Sequence, residues 1–280
     1  MSSIESVGEV GSSSRPNAGA GSFWPASSSE CPYRFALFGR FQAAHPAGSW
    51  PQFESRKLQQ LMAYLLLYRG RPHHRDALSS LLWPDSSPKQ SRKNLRQSLW
   101  HLQRSAAAHS GEPALLFIAE KDWIRVNLSN VWLDVAELEA AFEMVRALPP
   151  EVMNEAGATA AMNAVDLYRG DLLEGWEQRW CVHERERLKF MNMALLERLV
   201  AFCEASNRLE AGFAYANLLL KQDPAHERAH WRVMRLHHLA GDRTSALRQF
   251  EKCRAALSRE FGVGPGRLTR SLYDEIRNSG

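Results

Sequence analysis

The stretch "PKQSRKNLRQSLWHLQRSA", residues 88–106, decides how the chain is read. Leu95, Leu99 and Leu102 stand at i, i+4 and i+7, a spacing that gathers three side chains on one helical face and turns it toward a core. At about 100° per residue, Lys89, Gln90, Lys93, Gln97, Trp100 and Arg104 then point away from the leucines. Asn94 and Arg96 fall on the flanks, and Arg92 adds a further cation. Arginine and lysine can pin phosphates or pair with guanine, and asparagine and glutamine can pair with adenine. This face therefore has the chemistry of a recognition helix in a major groove. An ordinary solvated helix usually mixes both signs of charge, whereas residues 88–106 contain no Asp or Glu.

The flanking sequence supplies the rest of such a domain. "YRFALFGRFQA" (33–43) alternates apolar and polar residues at Phe35, Leu37 and Phe41, with Gly39 as a turn, which predicts short antiparallel strands. A first helix is predicted through Leu58, Leu61, Met62, Leu65 and Leu66, stopped by Gly70 with Pro72 beyond. A second runs through Ala77, Leu78, Leu81 and Leu82 to Pro84. After the third helix, "ALLFIAEKDWIRVNL" (114–128) reads as strand, Glu-Lys-Asp turn and strand, with Ile124, Val126 and Leu128 alternating. Strands, three helices and a closing hairpin describe a winged helix, whose wing offers Lys121 and Arg125 as phosphate or minor-groove contacts.

Charge divides along the chain in the same way. Residues 33–105 hold twelve Lys/Arg against three Asp/Glu, and the remainder holds 23 against 28. Clustered positive charge attracts a polyanion by counterion release, so the first part is expected to meet nucleic acid and the mildly acidic second part protein.

In that second part, "NRLEAGFAY" (207–215) and "DRTSALRQF" (242–250) repeat at a separation of 35 residues, Ala211 and Tyr215 being echoed by Ala246 and Phe250. A small-to-aromatic step at a period of about 34 residues marks tetratricopeptide helix pairs. A helix through Ala161, Val165, Leu167 and Tyr168, ended by Gly170, and a long charged helix over "QRWCVHERERLKFMNMALLERLVAFCEA" precede them. Stacked helix pairs mostly bind proteins, although a pocket for an effector would leave the same pattern.

With these segments in place, "RFALFGRFQ", "RKLQQLMAYLLLYRGRPHHRDALSSLLWPD", "RKNLRQSLWHLQRS" and "VWLDVAELEAAF" resemble the OmpR-type winged helix of SARP-type bacterial regulators. "AAMNAVDLYRGDLLEGW", "WCVHERERL" and the run from Leu218 to Arg277 are similar to the bacterial transcriptional activator domain that follows it in those proteins. The resemblance covers about residues 33–280, departing from the OmpR pattern where "KDWIRV" replaces the glycine-aromatic wing tip. It implies a mostly α protein: an N-terminal winged helix-turn-helix with short β-strands over 31–133, then an all-α tetratricopeptide-like domain over 134–280. Residues 1–30, with ten Ser and four Gly and no signal- or transit-peptide pattern, read as a disordered tail.

The implied function is sequence-specific binding of double-stranded promoter DNA by a transcriptional activator. The helical domain is expected to serve homodimerisation and regulation, and the "WPDSSP" loop contact with RNA polymerase; a small-molecule effector is left open. The competing reading is a helical-repeat scaffold that binds protein and has no specific DNA site.

One motif points elsewhere. His226-Glu227-Arg228-Ala229-His230 has the H-E-x-x-H spacing that holds zinc in metallopeptidases. It follows Asp223-Pro224, however, which begins a helix without any metal, and Arg228 puts charge where apolar residues normally flank such a site. No cofactor, metal or enzyme activity is expected, since phosphate-binding, dinucleotide and nucleophile-elbow motifs are missing and "GVGPG" (262–266) reads as a turn. Cys31, Cys181, Cys203 and Cys253 lie far apart without a C-x-x-C pair, and no apolar run reaches the roughly 20 residues of a membrane span. Reduced thiols in a cytoplasm, away from any membrane, are the expectation.

Overall fold

The computed structural model describes residues 24, 31, 33–45, 48–49, 53, 55–110, 116–129, 131–147 and 153–279. Apart from Trp24, the expected tail lies outside the described residues. Helices dominate, as the sequence predicts. Strands β1 (Tyr33–Ala36), β2 (Gln42–His45) and β3 (Gly48–Ser49) precede helix α1 (Arg56–Leu67). Then come β4 (His73–His74), α2 (Arg75–Leu82), α3 (Pro88–Ser110), β5 (Phe117–Glu120), β6 (Trp123–Val126) and β7 (Val131–Leu133). The helical part holds α4 (Asp134–Arg146), α5 (Glu155–Leu167), α6 (Arg179–Ala205), α7 (Leu209–Gln222), α8 (Glu227–Leu239), α9 (Arg243–Phe261) and α10 (Arg267–Asn278).

Two small sheets frame α1 to α3. The first has the order β3-β2-β1-β7, with β7 parallel to β1, and the second the order β4-β6-β5. Gly39 makes the turn between β1 and β2 at φ +81°, a conformation that costs a residue without a Cβ nothing. The apolar faces of α1 and β1 fill the core between the sheets, where Phe35, Leu61, Met62, Leu65 and Leu66 are fully buried. Each such side chain removed from water contributes about 1.5–3 kcal/mol.

The two parts are not separated by a linker. One hydrophobic core runs from Tyr33 to Leu236, crossing the expected boundary between 133 and 134. At that boundary the carboxylate of Asp134, fully buried at the start of α4, accepts the backbone N–H of Leu37 (2.8 Å), Phe38 (2.9 Å) and Val135 (2.7 Å). Burial lifts this carboxyl to about 7, against the three amide donors that pull it down. A second tie comes from the segment after α5: Gly39 N–H donates to Asp171 O (2.9 Å), Leu173 N–H to Leu37 O (2.8 Å) and Glu174 N–H to Gly39 O (2.7 Å). Arg185 of α6 holds that segment by donating to the carbonyls of Leu172, Leu173 and Trp176. Arg56 of α1 lies 4.4 Å over the Trp176 ring, and Glu139 of α4 bridges Arg69, in the turn after α1, and Arg187 of α6.

From α6 onward the helices stack as consecutive antiparallel pairs, as the 35-residue repeat predicts. The repeat marks close approaches: Ala246 and Phe250 lie in the core of α8 to α10 with Met234, Leu272 and Ile276. In the earlier copy Ala211 is half-buried, and the tightest position is its neighbour Gly212, where a Cβ would stand 3.2 Å from Leu236.

Candidate nucleic-acid interface

Helix α3 is rolled slightly from the predicted orientation. Its inner line is Ser91, Leu95, Ser98 and Leu102, all buried, while Leu99 is only half-buried at the edge. Serine is small enough to stand on this buried line. Ser91 Oγ also bonds Trp83 O and Ser87 O (both 3.1 Å), fixing the turn between the helices. In α2 the buried residues are Leu78, Ser79 and Leu82, and Ala77 and Leu81 are exposed rather than core. Leu128 is likewise exposed, because the chain has left β6 and turned toward β7.

The roll leaves Lys89, Gln90, Lys93, Arg96, Gln97, Trp100 and Arg104 exposed on one side of α3, with Asn94 half-buried beside them. Gln90 Nε2 donates to Asn94 Oδ1 (2.8 Å), and the Arg104 guanidinium lies 5.0 Å over the Trp100 ring. Among the described residues, Lys89, Lys93, Arg96 and Arg104 have no acidic partner. At the N-terminal end of the helix, Lys89, Lys93 and Arg96 line a hollow of about 810 Å³.

Arg92 is different. Its guanidinium grips both oxygens of Asp76 (2.6 and 2.8 Å), and these bonds hold the Asp76 carboxyl below the usual range. The residue expected to meet DNA is engaged in joining α3 to α2. The sequence carried one signal of this: Asp76 is the single acid between residues 55 and 84.

The hairpin forms with Lys121 and Asp122 as its turn, Lys121 at φ +39° and exposed. Arg125 points outward between buried Ile124 and Val126. Arg75 N–H donates to Asp122 O (2.8 Å), so the wing tip is tied back to the start of α2. Trp123, half-exposed, packs edge-on against His74.

The H-E-x-x-H residues are occupied by protein groups. His226 caps α8, its Nδ1 accepting from Ala229 N–H (3.2 Å) while Nε2 meets Glu197 (3.1 Å). His230 Nε2 meets Pro224 O (3.0 Å) and Nδ1 meets Gln249 (2.8 Å). Glu227, the residue a peptidase would use as base, accepts from Gly266 N–H (2.7 Å) and Thr269 Oγ (2.5 Å).

Residues 133–277, more than half of the chain, match the family described as the bacterial transcriptional activator domain. The chain belongs to this family. With the winged helix ahead of that domain, it has the arrangement of a SARP-type regulator. The transcriptional regulatory protein EmbR of Mycobacterium tuberculosis and that of Mycobacterium bovis are each 22% identical to it over 247 residues, 86% of this chain and 62% of theirs. The chain thus spans about three fifths of the length of these relatives. A structure of Mycobacterium tuberculosis EmbR in complex with a low-affinity phosphopeptide superposes with a TM-score of 0.64 at 21% identity, covering 89% of this chain and 65% of that one. The likeness establishes a shared fold. The family and these relatives carry the names of transcriptional regulators, not of enzymes.

Proposed function

We propose that this chain is a sequence-specific DNA-binding activator whose α3 enters the major groove of promoter DNA. The observation that carries the proposal is the exposed α3 face, on which four cations and an aromatic stand without an acidic partner among the described residues. Lys93 and Gln97, central on that face, contact base edges; Lys89, Arg96 and Arg104 meet phosphates, and Gln90, Asn94 and Trp100 complete the surface. Lys121 and Arg125 rest on the backbone beside the groove, and Arg92 positions the helix. Residues 31–133 form the DNA-binding unit and 134–280 the activator unit, through which two copies associate on paired half-sites. The turn from Trp83 to Pro88 faces RNA polymerase, and such a role places the protein in the cytoplasm.

Electrophoretic shifts at fixed salt test this reading. Lys93→Ala and Gln97→Ala should each weaken specific binding by about 1–3 kcal/mol with thermal unfolding unchanged. Unaltered affinity in both variants would remove α3 from the groove. The competing scaffold reading predicts no salt-dependent DNA binding at all.

A further inference from the structure

The second part of the chain is not uniformly acidic. Residues 106–222 hold eleven Lys/Arg against eighteen Asp/Glu, whereas residues 223–280, which contain α8 to α10, hold eleven against seven. Several of those seven acids are already engaged. Glu227 caps α10, Asp242 caps α9, and Glu251 and Asp274 pair within their own helices.

Between α8 and the start of α10 lies a groove of about 580 Å³ lined by Arg228, Trp231, Arg232, Arg267 and Leu268 together with Glu227. Its character is apolar and cationic together. Leu268 is 74% exposed, an unusual position for a leucine, and Trp231 is half-buried below the rim. Arg267 is exposed and, among the described residues, has no acidic partner; Arg228 reaches Glu197 only at 3.5 Å. The groove's one acid bonds Gly266 and Thr269 through Oε1 and keeps its charge, but one carboxylate against three arginines leaves the lining net positive.

We infer that this groove is a docking site for an acidic segment of a partner protein that carries an apolar anchor. The indole and Leu268 would receive the anchor, and Arg228 and Arg267 would meet carboxylates on either side of it, the apolar-in-pocket, charge-on-rim arrangement of peptide grooves. Charge complementarity selects an acidic partner. The exposed Leu268 side chain favours peptide over nucleic acid, whose phosphate backbone gains nothing from a leucine. This inference is independent of DNA reading by α3.

The test is fluorescence polarisation on the full chain. The probe is a labelled helical peptide of about sixteen residues with Leu and Phe at i, i+3 and i+7 and Asp or Glu elsewhere. Saturable binding is expected, weakened about tenfold or more by Leu268→Ser and by Arg267→Gln, both exposed positions, and unaffected by Phe190→Ser on α6. Replacing the peptide's Leu and Phe by Ser, or its acids by Gln, should abolish binding. The inference is overturned if the acidic peptide does not bind, or binds Leu268→Ser and Arg267→Gln as it binds the parent. It is also overturned if random-sequence DNA displaces the peptide and itself depends on Arg267, or if light scattering shows that Leu268→Ser dissolves a dimer of the chain.

Discussion

Two helices of this molecule carry the same local device, a tryptophan followed four residues later by an arginine lying over its ring. In α3 it is Trp100 and Arg104, at 5.0 Å; in α8 it is Trp231 and Arg235, at 5.4 Å. Their surroundings differ. In α8, Glu204 of α6, nearly buried, holds both Arg235 and Arg232, the latter at 2.6 Å, so those charges are consumed inside the fold. In α3 no neighbouring element brings an acid to Arg104, Lys93 or Arg96 among the described residues. Net charge therefore overstates what is free for a ligand: Arg56, Arg69 and Arg92 also belong to the basic first part and are all engaged internally.

The largest effect should come from the core beneath α3. Leu95→Ala should destabilise the protein by about 2–5 kcal/mol, whereas Leu99→Ala, at the half-buried edge, should cost about 1 kcal/mol. Chemical denaturation of the two variants checks the roll of the helix, and equal costs would restore the three-leucine face.

Next comes the acid that distinguishes α8. Glu204→Ala leaves Arg232 poorly solvated and without its partner, and a loss of about 3 kcal/mol is expected, read in the same unfolding experiment. A loss no larger than that of an exposed ion pair would show that α8's arginines are as free as those of α3.

A smaller and pH-dependent effect belongs to the joint between the two parts. Asp134 titrates at about 7 when folded and at about 4 when unfolded, so between these values the folded state holds a proton that the unfolded state has released. Its contribution to stability is present below about pH 4, declines as pH rises to about 7 and is level above. Melting temperatures across this range should fall less steeply in Asp134→Asn than in the parent, and parallel profiles would contradict the buried-carboxyl account.

Much of this was legible from residue spacing. The period of α1, the length of α6, the hairpin and the 35-residue helix repeat each follow from local patterns of apolar and turn residues. What was not legible depends on distant partners. β7 pairs in parallel with β1 nearly a hundred residues away, α4 begins on a buried aspartate rather than at an evident cap, and Ser91 and Ser98 are core positions that hydropathy assigns to the surface. For the candidate interface, the sequence marked the cations of α3, and only the lone acid Asp76 hinted that one of them, Arg92, would be gripped while Lys93 and Arg96 beside it are not.

The central claim, that free cations on α3 rather than total basic charge hold DNA, is tested most directly by the salt dependence of binding. Affinity of the full chain for a promoter fragment would be titrated across salt concentrations for Lys89→Ala, Arg96→Ala and Arg104→Ala, beside Arg228→Ala and Arg235→Ala. Each α3 substitution that removes a phosphate contact should lower the slope of log affinity against log salt by about 1, and the α8 substitutions should leave it unchanged. Equal slopes for all five variants, or a loss confined to α8, would contradict the account.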